Sequence, residues 1–186
     1  MCIMLAVFMG KVLKKKTAVA GDEVTYSLML RQMQKAVAIQ HKGIASRHAY
    51  SMDGIDYYCG IRDEDIGILR QKYDVIILDI SFENTFDNTN VTFARMVSRL
   101  SACDEKILAG SMLPWKSREC EKKMERIERF LDIRGLKMVT LAACDKEAVS
   151  IIKKHGVEVV LIPFERNPFV ISGENLRSFL ELLKIT

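Results

Sequence analysis

The sequence predicts an α/β fold, a three-layer sandwich in which helices cover both faces of a mainly parallel sheet. Runs rich in Val and Ile lack the polar–apolar alternation of a half-exposed strand, so they are typical of strands buried on both faces. Segments with apolar residues at helical spacing separate these runs, and such alternation of strand and helix is typical of a parallel sheet. The length of 186 residues suits one domain, residues 1–186.

The individual elements follow from these two patterns. Strands are expected at 17–20, 74–80, 106–110, 136–142 and 157–162. Helices are expected at 26–38, 64–72, 91–100, 117–131, 146–155 and 174–183. The segment 47–58 is ambiguous and holds one or two short strands. For the helix at 117–131, Ser117 is the expected N-cap and Gly135 follows its end.

The chain opens on an apolar run, Met1–Met9, which is far shorter than the roughly 20 residues that cross a bilayer. Its lysines follow the run, whereas a signal peptide carries basic residues ahead of it. We therefore expect a buried element, no transmembrane segment and a cytoplasmic protein.

Charge and cysteine content exclude several classes of function. The formal charge of +4 is not gathered into one basic block, so there is no strong nucleic-acid signal. The five cysteines are scattered, without a C-x-x-C pair or a His at ligand spacing. They are expected to be free thiols in a reducing compartment, and not zinc ligands.

Candidate site residues lie where predicted strands end, because open α/β sheets bind ligands beyond the carboxyl ends of their strands. Asp79 closes a hydrophobic strand, where a carboxylate can hold Mg²⁺ beside a phosphate or can simply cap the following loop. Trp115 could contact a ligand, or it could simply cover the end of the hydrophobic core. Phe164 could likewise contact a ligand, or it could be an ordinary loop residue. The candidates for cofactor contact are Ser81, Ser111, Trp115, Pro163 and Phe164.

The sequence offers no phosphate-binding loop. It contains neither G-x-x-x-x-G-K-[ST] nor G-x-G-x-x-G, and the motifs of serine hydrolases and zinc proteases are also absent. Gly10-Lys11 is no substitute, because Val12 follows where a hydroxyl ligand for Mg²⁺ would be needed.

The order of elements from Met1 to Leu183 resembles the ParA/MinD group of deviant-Walker P-loop ATPases, particularly the branch of pilus-positioning proteins of the CpaE/TadZ kind. The segments that carry the resemblance are 2–13 with 14–19, 54–58, 73–79, 103–116 and 162–164. The resemblance implies a P-loop NTPase-like fold with ATP and Mg²⁺ as cofactors. It makes Asp79 the catalytic and metal-binding acid that ends the Walker B strand, although the Gly that often follows that acid is missing here.

In such ATPases a first strand and a Gly-rich loop precede the helix with which this sequence opens. Two hypotheses follow. Either the domain is a reduced relative in which the strands at 74–80 and 106–110 pair directly, or it is N-terminally truncated as given, and the product begins upstream of Met1 and carries the missing strand. For the chain as given, we expect no tight Mg-ATP binding and no turnover, with ATP and Mg²⁺ bound only if the loop is supplied.

The resemblance also implies a homodimer with protein partners, positioning or regulating a larger assembly such as a pilus or secretion apparatus. Two alternatives stay open. A receiver-like signalling domain would use Asp79 with Asp22 and Glu23 as a second acidic pair. A small-molecule enzyme would carry its base among the strand ends.

Overall fold

The computed structural model describes residues 1–21, 36–40, 43–46, 48–80, 90–110, 114–132, 135–140, 149, 153 and 155–185. The chain divides into two compact units, each with its own sheet. The first unit comprises Met1–Asn88 with Pro168–Val170, and the second comprises Thr89–Asn167 with Ile171–Thr186. Helices flank the sheets, and four of the six strand pairs are parallel, so the predicted α/β fold class with a mainly parallel sheet is confirmed.

The first unit contains a five-stranded sheet in the order β2-β3-β4-β1-β5. The strand β1 pairs in parallel with β4 and β5, while β2, β3 and β4 pair antiparallel. Every residue of β1 is buried, which explains its unbroken run of small and apolar residues. The strands are β1 (Thr17–Gly21), β2 (Val37–Ala38), β3 (His48–Met52), β4 (Ile55–Cys59) and β5 (Val75–Asp79).

The ambiguous segment 47–58 forms a hairpin of two strands, β3 and β4. Asp53 and Gly54 make its turn with φ angles of 54° and 79°. Two consecutive positive φ angles match the twist of the flanking strands, and Asp-Gly is a favoured pair for this turn. Lys11 Nζ holds the turn through an ion pair of 2.6 Å with Asp53 Oδ2.

Two helices cover opposite faces of this sheet. The helix α1 (Cys2–Val7) continues as a π-helical segment (Phe8–Val12) and packs on β1 and β5. Its residues from Ile3 to Phe8 are buried, which confirms the buried opening element. The helix α2 (Asp63–Lys72) covers the other face, where Leu69 clusters with Ala18, Ala20 and Tyr58. The first unit thus has the three predicted layers.

The second unit contains a three-stranded parallel sheet in the order β6-β7-β8. Its strands are β6 (Ile107–Gly110), β7 (Lys137–Thr140) and β8 (Glu158–Leu161). The helices among its described residues are α3 (Asn90–Ser101), α4 (Pro114–Glu128) and α5 (Gly173–Leu183). The core includes Met124, Met138, Ile162 and Phe179, each at most 2% exposed.

The predicted boundaries of α4 need correction. The helix begins at Pro114, so Ser117 lies inside it and the predicted N-cap is wrong. Proline suits a first helical position, because its φ is already helical and the missing N–H would have no acceptor there. Cys120, Met124 and Ile127, spaced four and three residues apart, are buried on one face of the helix.

The helix expected at 26–38 is wrong at its carboxyl end. Val37 and Ala38 form β2, where they pair with Ser51 and Tyr50 of β3. Pairing with a neighbouring strand here overrides the local apolar spacing. Residues 26–35 of that prediction lie outside the described residues, as do 141–142 of the strand predicted at 136–142 and most of the helix predicted at 146–155.

Gly110 ends β6 at a position with no room for a side chain. A Cβ there would lie 2.6 Å from Met138 Cε and 2.8 Å from Cys120 Sγ. We expect Gly110→Ala to lower the free energy of unfolding, measured in urea, by about 1–3 kcal/mol through overpacking. Gly67→Ala is the matched control, because Gly67 lies in α2 with nothing within 4 Å of its Cβ. It should raise stability by about 0.5–1 kcal/mol, and equal effects of the two changes would contradict the prediction.

Candidate functional site

Asp79 lies at the carboxyl end of β5, as the sequence predicts. The strand register sets it in a row with three residues of neighbouring strands: Gly21 of β1, Cys59 of β4 and His48 of β3. Adjacent strands are about 4.8 Å apart, so Gly21, which has no side chain, is the immediate neighbour of the Asp79 carboxylate.

The helix α1 covers the face of the sheet that carries Asp79. Side chains alternate along β5, so Asp79 shares its face with Val75, whose partner in β1 is Thr17. A Cβ built on Gly10 would lie 3.8 Å from Thr17 Oγ1, which places the end of the helical segment over the start of β1. Only residues 13–16 join the two elements, so the helix runs antiparallel to β1. The start of α1 and Asp79 therefore lie toward the same edge and face.

The Cys59 thiol, which belongs to this row, is not reactive at neutral pH. Cys59 is 3% exposed, and its burial raises its pKa to about 11. The side chain therefore stays a neutral thiol, which is a poor nucleophile and metal ligand. Among the residues that the structure describes, no three His, Cys, Asp or Glu side chains form a metal-binding group. An ion held by Asp79 would take its other ligands from a bound phosphate and water.

A hydrogen-bonded chain at the opposite end of β5 holds that strand in place. Tyr73 donates its hydroxyl proton to Asp56 Oδ2 at 2.5 Å, and its oxygen lies 2.6 Å from the Tyr58 hydroxyl. Lys16 adds its ammonium group 5.2 Å from the centre of the Tyr73 ring, and its backbone N–H donates to Asp74 Oδ2 at 2.9 Å. These contacts join the start of β5 to β1 and β4, and so position Asp79 at the other end.

Two of the sequence-predicted contact residues lie in the second unit. Pro163 and Phe164 follow β8, where the N–H of Ile162 still donates to the Thr140 carbonyl at 2.9 Å. Phe164 is 72% exposed, so it does not belong to the core. Its ring is accessible to a ligand at the carboxyl end of a parallel strand.

The remaining candidates cannot be assigned contacts. Trp115 lies in the first turn of α4, but its side chain is not among those described. Ser81 and Ser111 lie outside the described residues, as do Asp22 and Glu23, the second acidic pair of the receiver-like alternative. Their roles stay predictions.

Sequence reasoning missed the row beside Asp79 and the tyrosine chain. No spacing along the sequence indicates that residues 21, 48, 59 and 79 are neighbours, because strand order and register decide it. The Asp-Gly pair at 53–54 was an available signal, since it predicts the hairpin that aligns β3 with β4.

Within the described part of the chain, no helix combines the length and the apolar character that crossing a membrane requires.

Comparison with known proteins identifies the fold. No protein-family model matches the chain, and no curated protein matches it. Among solved structures, the MinD cell division protein of Aquifex aeolicus aligns with a TM-score of 0.64 at 12% identity, over 100% of this chain and 92% of that chain. The MinC:MinD cell division protein complex of the same organism aligns with a TM-score of 0.63 at 13% identity, over 99% and 91%. At such identities the likeness is one of fold, and this chain has the fold of MinD, as its resemblance to the ParA/MinD group implied.

Proposed function

We propose that this chain is a nucleotide-binding domain of the ParA/MinD type that acts by interaction with other proteins and not by turnover. The observation that carries the proposal is the position of Asp79. On a MinD-like fold, it ends a parallel strand on the face covered by α1. Open α/β sheets bind ligands at this edge.

The chemistry of the edge suits Mg²⁺ and a phosphate. Asp79 supplies a hard carboxylate oxygen, the kind of ligand that Mg²⁺ prefers. When bound, Mg²⁺ would neutralise charge on the phosphates. The sequence has no loop to enclose those phosphates, so in this proposal ATP and Mg²⁺ bind only when a phosphate loop is supplied.

The cofactor contacts proposed in the second unit are Pro163 and Phe164. Phe164 has an exposed ring, and Pro163 restricts the backbone ahead of it. A nucleobase stacking on this ring would shield its apolar surface from water. Ser81, Ser111 and Trp115 complete the proposed set from sequence position alone.

The proposed partners are a second copy of the chain and the proteins of a larger assembly. The support is the resemblance to the CpaE/TadZ branch, together with the similarity to a MinD protein whose structure is known in a complex with MinC. A cytoplasmic role in positioning or regulating a pilus or secretion apparatus belongs to this proposal.

Calorimetric titration with Mg-ATP tests the nucleotide site. We expect no binding in the micromolar range by residues 1–186, and binding in that range by a version that includes the codons upstream of Met1, if these encode a Gly-rich loop. In the extended version, Asp79→Asn should weaken Mg²⁺-dependent binding by about tenfold or more, because the ion loses its protein ligand.

Glu64→Gln is the matched control for Asp79→Asn. Glu64 is an exposed carboxylate in the first turn of α2, and its removal should leave nucleotide affinity unchanged. Micromolar binding by residues 1–186 would disprove the need for a supplied loop. Equal affinities of the Asp79→Asn and unmodified proteins would disprove the role of Asp79.

A further inference from the structure

Asn175 is a buried polar residue whose side chain has no protein partner. It lies in the first turn of α5 and is 1% exposed. Within the described structure, neither Nδ2 nor Oδ1 makes a hydrogen bond. The helix cap uses the main chain of this residue instead, since its backbone N–H donates to Ser172 Oγ at 3.2 Å. Burying an amide without partners is costly, so buried polar groups without protein partners are commonly satisfied by internal water.

The fold sets the place of this amide. Lys184, just after α5, pairs with Glu158 at the start of β8 at 3.3 Å, so α5 runs antiparallel to β8 and begins near its carboxyl end. Helical side chains point back toward the helix N-terminus. The amide of Asn175 is therefore directed toward the first turn of α5, where backbone N–H groups lack helical acceptors.

We propose that Asn175 holds an internal water molecule at the first turn of α5. An anion would satisfy Nδ2 and leave Oδ1 unpaired, while a cation would do the reverse. An apolar group would satisfy neither atom. Both orientations of the amide leave its oxygen and its nitrogen without a protein partner, so a water molecule is needed in either case. Water both donates and accepts hydrogen bonds, so it can satisfy both amide atoms of this buried side chain.

Nuclear magnetic resonance detects such a water directly in the folded chain. Cross-relaxation between the Asn175 side-chain NH₂ protons and water should have the sign expected for a residence time longer than about a nanosecond. The side-chain amide of Asn167, an exposed residue, is the internal control and should show only brief surface hydration. In Asn175→Leu, the long-lived water signals at the backbone N–H groups of residues 173 and 174, which have no helical acceptor, should disappear.

Two results would overturn the proposal. The first is that the side-chain NH₂ protons of Asn175 show no cross-relaxation with water, or show cross-relaxation of the same sign and size as those of Asn167. The other is a long-lived water signal that persists in Asn175→Leu. If that variant does not fold, the comparison of the two amides in the unmodified chain decides alone. The outcome is independent of the nucleotide titration.

Discussion

Tyr73→Phe is expected to lower the free energy of unfolding by about 2–3 kcal/mol, because it removes a buried hydroxyl with two hydrogen bonds. One of these goes to the Asp56 carboxylate, and bonds to charged groups contribute about 1.5–3 kcal/mol. The other joins Tyr58 and contributes about 1 kcal/mol at most. Equilibrium unfolding in urea, followed by circular dichroism, measures the change.

Tyr57→Phe is the matched control and should have the opposite sign. Tyr57 is 1% exposed and precedes Tyr58 in β4, but its hydroxyl makes no hydrogen bond within the described structure. Removing a buried hydroxyl without a partner should raise stability by up to about 1 kcal/mol. Both changes keep the ring and remove only a hydroxyl, so equal losses in the two variants would contradict the stabilising role of the hydrogen bonds of Tyr73.

Alkaline pH is expected to destabilise the first unit. Burial raises the pKa of Cys59 from 9.0 to about 11. Above pH 9 the unfolded chain therefore loses this proton while the folded chain keeps it. The stabilising contribution is complete below pH 9 and is lost as the pH rises to 11. Two pKa units correspond to roughly 2–3 kcal/mol.

Tyrosines of β4 and of the start of β5 act in the same direction from about pH 10 upward. Burial is the main cause that raises the pKa of Tyr57, Tyr58 and Tyr73 above 10.0, and the bond to Asp56 raises that of Tyr73 further. The folded chain again retains protons that the unfolded chain releases, so stability falls as the pH rises.

Urea unfolding between pH 7 and 11 measures the effect. We expect a nearly constant free energy of unfolding up to about pH 8.5 and a progressive fall above pH 9. In Cys59→Ala, the fall between pH 9 and 10 should be clearly smaller, whatever the stability of that variant at pH 7. A free energy that stays constant to pH 10.5 would contradict the prediction.

The fold class was predictable because strands that are buried on both faces of a sheet have continuous runs of apolar residues. The strand predicted at 74–80 is observed at Val75–Asp79, and the helix predicted at 174–183 at Gly173–Leu183. Predictions failed for two reasons: a contact distant in sequence overrode the local pattern, or a nearby residue suited the position better. Val37 and Ala38 follow a helical spacing but pair with β3. Ser117 suits an N-cap, yet Pro114 begins the helix earlier.

The candidate site also contains one residue that the sequence could predict and neighbours that it could not. The sequence predicted Asp79 at a strand end, because the hydrophobic run and the acidic residue that follows it are adjacent in the sequence. It could not place Gly21, Cys59 and His48 beside Asp79, since those neighbours come from three other strands. The unpartnered amide of Asn175 was also invisible, because a polar residue in a first helical turn is ordinarily exposed.

The sequence by itself determined the kinds of element, the burial of the opening helix and the acidic end of β5. Each of these depends on residue types that are close together along the chain. Only the tertiary structure decided that β1 lies between β4 and β5, that α1 covers the face carrying Asp79, and that Tyr73 joins Asp56 to Tyr58. Strand order, register and the partners of buried polar groups depend on residues far apart in sequence, and their free energy appears only when the chain has folded.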